Sequence, residues 1–243
     1  MKISRPFLLV LALTATRLAG STPVMPPLNA EPIVIIQTEP ADFPLELSNL
    51  GVIEGWAKVV VGIDDQGRLL DALAIGHSHP RFADAALAAL ARWQYHPARV
   101  GGQPITAVTQ LDFTFRYDSA GAKVVTITAL TYSEQLKLKS HRAENKLCRL
   151  EELDTTPIPT HLVSPAYSEY DIHRNAGKTV VVWFYIDETG RVRLPTINYA
   201  DDDAVARQAL AAVEQWRFEP PRSKQQPVIT KASQAFVFKA PAR

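Results

Sequence analysis

Asp64-Asp65-Gln66-Gly67-Arg68 recurs as Asp187-Glu188-Thr189-Gly190-Arg191, 123 residues further along the chain. The same offset carries Leu87 to Leu210, Trp93 to Trp216, Tyr95 to Phe218, Pro97 to Pro220 and Arg99 to Arg222. It ends by carrying Phe113 to Phe236 and Phe115 to Phe238, with no gap needed from Asp64 to Phe115. Solenoid units are much shorter than this, so the duplication defines two small domains.

Each copy reads the same way around its turn. Ala57, Val59, Val61 and Ile63 alternate with Trp56, Lys58, Val60 and Gly62, the period of a half-buried strand. In the second copy Val180, Val182, Phe184 and Ile186 hold the matching face. The Asp–Gly turn leads into returning strands at Leu69–Ile75 and Val192–Tyr199. Phe82, Ala86, Ala89, Leu90 and Trp93 then fall on one helical stripe, repeated as Val205, Ala209, Ala212, Val213 and Trp216. Asp201-Asp202-Asp203 suits the positive end of the second helix. Pro97 and Pro220 are expected to stop helical continuation, and with Trp93 and Trp216 to form part of the structural core. A last strand follows near Pro104–Tyr117 and Pro227–Lys239. The expected fold is α+β: two tandem small domains, each a three-stranded antiparallel sheet packed by one helix, in the order strand, strand, helix, strand.

Composition narrows the function. The 243 residues carry 26 Lys and Arg against 25 Asp and Glu, so clustered positive charge for a nucleic-acid partner is lacking. One Cys excludes an internal disulfide framework and a cysteine-based zinc site. Lys2 and Arg5 precede an apolar run, Pro6–Ala15, and small residues Ala19-Gly20-Ser21 follow. That pattern predicts a secretory signal over 1–21, with no stable membrane span after its removal. Residues 22–36, with Pro23, Pro26, Pro27 and Pro32, read as an extended, poorly ordered lead-in. The domains are then expected at 37–118 and 160–240, joined by a connector over 119–159.

The stretches Arg92-Trp93-Gln94-Tyr95-His96-Pro97 and Gln215-Trp216-Arg217-Phe218-Glu219-Pro220, with the Asp–Gly turns, Ala86-Leu87 and Ala209-Leu210, resemble the C-terminal domain of the TonB family. The family's aromatic-proline pair is present as Phe43-Pro44 and becomes Tyr167-Ser168 in the second copy. The resemblance implies a periplasmic protein-binding domain. It would engage an extended peptide of an outer-membrane transporter, which adds as a strand to the sheet edge beside the domain's last strand. Two family features are not found in this sequence: the N-terminal membrane helix with its motor-contacting histidine, and the long Pro-rich spacer. The family's Gln just before the aromatic-proline pair is replaced by Ser164, and the first copy reads Thr38-Glu39-Pro40 there.

The copies differ where binding would occur. After the turn Asp118-Ser119-Ala120-Gly121, Lys123–Tyr132 alternates with Val125, Ile127 and Ala129 on one side. A hairpin is expected to fill the edge of the first copy. The second copy has no following strand, so its edge is expected to stay open. The peptide-binding candidates are accordingly Val228, Thr230, Ala232, Gln234, Phe236 and Phe238. On the outer face of the first strand, the first copy shows Lys58 and Gly62, whereas the second shows Val181, Trp183 and Tyr185. This apolar face needs a cover, supplied by the Ser133–Pro159 connector, the other module or a partner protein.

Other chemistry reads as structural. His77 and His79 have no third metal ligand repeating nearby, and the Asp turns lack the ligand loop and closing Glu of a calcium site. Cys148 has no nameable activating partner, and Arg99 and Arg222 match each other near the last strand. No phosphate loop, nucleophile elbow or HExxH pattern occurs, so neither enzyme activity nor a cofactor nor a metal is expected. The functional expectation is a periplasmic binding protein, accessory to outer-membrane transport, whose partner is a transporter or other envelope protein. The alternative is a structural envelope adaptor whose modules pack on each other or form a homodimer.

Overall fold

A computed structural model describes residues 30–117, 123–130, 146–167, 174 and 176–237. The predicted signal and Phe238 lie outside these residues.

The first module contains the short helix α1 (Leu45–Asn49), strands β1 (Glu54–Ile63) and β2 (Leu69–His77), and helix α2 (Pro80–Leu90). Strand β3 (Ala107–Tyr117) follows, and then β4 (Lys123–Leu130). The sheet order is β2-β1-β3-β4, antiparallel throughout. The expected hairpin forms: β4 pairs with β3 from Tyr117↔Lys123 to Gln110↔Leu130. In the second half, β5 (Leu147–Cys148) precedes β6 (Thr179–Ile186), β7 (Val192–Ala200), helix α3 (Asp203–Val213) and β8 (Ile229–Val237). Their sheet order is β5-β8-β6-β7.

The alternation places Ala57, Val59, Val61 and Ile63 fully buried beneath α2, and Val180, Val182, Phe184 and Ile186 beneath α3. Alanines on each helix stripe let it lie close to its sheet. His79 caps α2 by accepting the Arg81 amide on Nδ1 at 3.2 Å. Asp202 caps α3 through the Ala204 and Val205 amides at 2.9 and 3.4 Å. Both turns are Asx turns: Asp64 accepts the Gln66 and Arg68 amides, and Asp187 accepts those of Thr189 and Arg191. Gly190 has φ +83°, and a Cβ there would lie 1.9 Å from the Phe218 carbonyl oxygen, so glycine is required twice over.

Trp93 and Trp216 are core residues, and each anchors the segment that enters its module. Their Nε1–H groups donate to the Glu39 and Val163 carbonyls, both at 2.8 Å. Pro97 and Pro220 differ from expectation: Pro97 is half-buried and Pro220 exposed. The helices end at Leu90 and Val213, before the tryptophans, and short strands at Gln94–His96 and Arg217–Phe218 intervene. The prolines therefore follow short strands and do not terminate helices. The lead-in also departs from expectation where it is described. Ala30–Glu31 pairs with Arg99–Val100, and Val34–Gln37 pairs with Gln94–His96.

The two sheets meet through their outer faces. Val60, Leu73 and Ile75 from the first pack against Tyr185, Leu194 and Ile229 from the second. Arg193 closes the junction, donating Nε–H to Asp71 Oδ2 at 2.8 Å and Nη2–H to the Ala72 carbonyl at 3.0 Å. Its Nη1 lies 3.5 Å from Asp187 Oδ2. The junction is unsymmetric, because Gly62 occupies the position that Tyr185 holds in the other copy. A Cβ on Gly62 would lie 2.8 Å from Leu194 Cδ2.

Two predictions follow from these contacts. Gly62→Val should destabilise the protein by about 1–3 kcal/mol through overpacking, and Leu194→Ala in the same chain should recover part of that loss, read by urea denaturation. The second concerns acid. Burial raises the Asp187 pKa, but hydrogen bonds from Thr189 and Arg191 and the Arg193 charge outweigh it and hold the carboxyl below its usual range. A depressed folded-state pKa stabilises above the unfolded value and ceases to do so as pH falls through the folded one. Asp187→Asn should thus cost about 1 kcal/mol at pH 7, and its deficit relative to the parent should shrink below about pH 4. A deficit that is constant from pH 7 to pH 2 would exclude this linkage.

Candidate functional site

The last strand of the second module is where, among the described residues, a sheet edge lacks a full partner strand. One side of β8 is bonded to β6 without a register break, from Thr179↔Val237 to Ile186↔Thr230. On the other side, β5 runs parallel to its start, pairing Leu147 with Ile229 and Cys148 with Thr230. The Ile229 amide donates to the Lys146 carbonyl at 2.8 Å, and Thr230 Oγ1–H donates to the Cys148 carbonyl at 3.0 Å. Residues 150–152 then turn away in a 3₁₀ turn, leaving a cavity of about 540 Å³ lined by Leu147–Glu152 and Lys231. Beyond that corner, no strand among the described residues pairs with the side of Lys231–Val237 that faces away from β6.

Period-two geometry decides which amides this edge presents. Ile229 faces β5, so Lys231, Ser233, Ala235 and Val237 point their N–H and C=O groups to the same outward side. The opposite end agrees: the Asp201 amide donates to the Thr179 carbonyl, so Thr179 faces β7 and Val180 faces β8 opposite Phe236. The candidate residues Thr230, Ala232, Gln234 and Phe236 consequently direct their backbones toward β6, and their side chains are buried. Val228 is also buried and precedes the strand, with its amide bonded to the Pro221 carbonyl at 2.9 Å. The outward backbone groups of this strand belong to the odd-numbered residues, which sequence alternation alone cannot distinguish. What would have distinguished them is the partner of one amide, here Ile229.

The outer face is covered unevenly. Tyr185 is buried in the junction between the sheets. Trp183 is half-buried beneath Lys231, whose Nζ sits 4.1 Å from the ring centroid, a cation–π contact. Surrounding chain lowers the pKa of that ammonium by desolvation. Val181 lies between Tyr199 on β7 and Ala235 on β8, and Tyr199 and Val237 are about half exposed. Cover thus comes from the other module at one end and from a lysine at the middle. The connector contributes Leu147 at the margin of the junction.

Residues weighed for other chemistry have structural partners. Asp201 accepts from the Thr179 amide at 2.8 Å and from the Tyr199 hydroxyl. Arg99 and Arg222 each donate to a carbonyl three residues ahead, Gly102 and Gln225, at 2.8 Å. Among the described residues no three His, Cys, Asp or Glu side chains gather as a metal site. No helix among them is long and apolar enough to cross a membrane.

The family model for the Gram-negative bacterial TonB protein C-terminal domain matches residues 41–117 and again 163–240, more than half of the chain. The protein belongs to that family and carries its domain twice. Domains of this family act in the Gram-negative envelope and interact with outer-membrane proteins. Among solved structures, the chain is similar to the solution structure of the Pseudomonas aeruginosa TonB C-terminal domain. That match has 27% identity over 40% of this chain and 96% of the other, with a TM-score of 0.32. Among curated proteins, none matches the chain significantly.

Hydrogen exchange reads the parity directly. The amides of Ser233, Ala235 and Val237 should exchange much faster than those of Ala232, Gln234 and Phe236, in an alternating pattern along β8. Uniform protection across the strand would mean that the edge is covered in solution.

Proposed function

We propose that this protein is an exported, periplasmic peptide-binding protein accessory to outer-membrane transport. Its second module captures an extended segment of a transporter by strand addition along Lys231–Val237. The first module is the support, and no catalytic activity or cofactor is assigned. The observation that carries this reading is the contrast between two equivalent edges. Beside β3 the edge is filled by β4 from Gln110 to Tyr117, whereas β8 beyond Thr230 has, among the described residues, no strand on the side away from β6. Unfilled edges invite pairing, and main-chain hydrogen bonds then supply affinity.

The structural-adaptor reading has one observation in its favour, the apolar and ionic junction between the two sheets. That junction uses sheet faces at one end and leaves the β8 edge outside it, so a rigid two-module body and an available edge coexist. Tight packing of the modules therefore supports a rigid platform for capture as readily as it supports an adaptor.

Ser233→Pro tests the proposal. It removes an outward N–H while leaving the bonds between β6 and β8 in place. Binding to the N-terminal segment of an outer-membrane transporter, measured by calorimetry, should weaken by about tenfold or more, since a donor is lost and the ring obstructs the edge. Circular dichroism should be unchanged. Equal affinity in a correctly folded variant would rule out pairing along this edge, and failure of the parent to bind any such segment would favour the adaptor.

A further inference from the structure

Gln234 lies on the inner face of β8 and is 3% exposed. The first module has Leu111 at the matching position, an ordinary core residue at 1% exposure. Gln234 instead turns its carboxamide round the margin of its own strand, and Nε2–H donates to the Ala235 carbonyl at 2.8 Å. That carbonyl is one of the outward acceptors of the open edge. The Gln234 Oε1 atom is buried and has no hydrogen-bond partner among the described residues. Exchanging the amide's oxygen and nitrogen would set two acceptors against each other, so the Ala235 carbonyl dictates the orientation. One bond made and one buried oxygen left unsatisfied is a poor arrangement for a core side chain. It suits a side chain that changes partners.

The comparison between copies sharpens this. Where the edge is filled, Leu111 sits across from Ala129 of β4 and the position is apolar. Where the edge is open, the position carries an amide that occupies an edge acceptor. We propose that Gln234 is a side-chain latch on the β8 edge. Its carboxamide stands in for the backbone N–H of an incoming strand at the Ala235 carbonyl, and it is displaced when an extended peptide adds. The latch rests on the strand-addition reading and assigns that edge its regulation. It also blunts the edge against pairing with a second copy of the chain.

The probe is a synthetic peptide with the chain's own Lys123–Leu130 sequence, which is seated on the equivalent edge of the first module. Its affinity is measured by calorimetry against the full chain without its signal, for the parent, Gln234→Leu, Gln234→Met and Ser233→Pro. Leu reproduces the first module's residue, and Met keeps the length without the amide should Leu fail to fold. Side-chain amide resonances of Gln234 are followed by NMR in parallel. The expected result is peptide binding that Ser233→Pro abolishes and that Gln234→Leu tightens by about 3- to 10-fold, the size of one competing hydrogen bond. The Gln234 amide protons should be protected in the free protein and shift when peptide is added.

If Ser233→Pro abolishes binding but neither Gln234 variant tightens it, the latch is overturned and strand addition survives. A Gln234 amide that exchanges freely without peptide overturns the latch alone as well. If no form binds the peptide, or Ser233→Pro binds as the parent does, strand addition fails and the latch falls with it.

Discussion

Backbone N–H and C=O groups at a sheet margin must find partners, and this requirement shapes most of what lies outside the two cores. A three-stranded sheet under one helix satisfies its central strand and leaves two margins. In the first module the chain answers with β4, a full strand paired along β3, whose Val125 and Ile127 also extend the apolar core. In the second the answer is piecemeal. Lys146–Cys148 covers the start of β8, the Thr230 hydroxyl bonds back to Cys148, and Gln234 reaches the Ala235 carbonyl. The same demand accounts for the lead-in residues, which pair with short strands after the helix.

The sheet faces are settled by a different constraint. An apolar outer face must be covered, and the two copies cover theirs with one another because their side chains there are unequal. Gly62 makes room for Leu194, and Tyr185 at the matching site of the second copy enters the shared cluster with Val60 and Leu73. Arg193 gives this cluster its orientation, since its guanidinium bridges Asp71 of one sheet and Asp187 of the other turn. Identical faces would have favoured a symmetric contact between two copies of one module. Divergence at these few positions makes the contact heterologous and confines it within one chain.

Legibility in the sequence tracked the range of each interaction. The Asx turns, the strand alternation and the helix stripes depend on neighbours within one or two turns of chain, and the residues named for them occupy those places, except that Trp93 and Trp216 lie just past the helix ends. The β3–β4 hairpin was also readable, because Asp118–Gly121 joins strands adjacent in sequence. The parallel pairing of Leu147–Cys148 with Ile229–Thr230 was not readable, since two residues carry no period and their partners are some eighty positions away. The polarity of β8 was lost for a related reason. Period two tells which side chains share a face, but which amides point outward depends on the neighbours that the sheet supplies. Pro97 and Pro220 do not terminate the helices, because the backbone has already left the helix at Leu90 and Val213, a boundary that the position of a proline does not mark.

The duplication thus separates two requirements that a single domain must meet at once. A binding edge has to be exposed, yet an exposed edge weakens a small sheet and invites aggregation. The first module resolves this in favour of stability, with β4 as a permanent fourth strand, and through the shared cluster it lends a rigid body to its neighbour. The second, among the described residues, can then leave the outer side of Lys231–Val237 unfilled, with Ile229 and Thr230 before it held by β5 and one acceptor held by Gln234. The fourth-strand position is the variable that distinguishes the copies: a covalently attached strand in one, and in the other a short parallel cap, a side-chain amide and a length of open backbone. What divides support from recognition is therefore how the last edge is satisfied, because the helix, turns and tryptophan anchors are common to both.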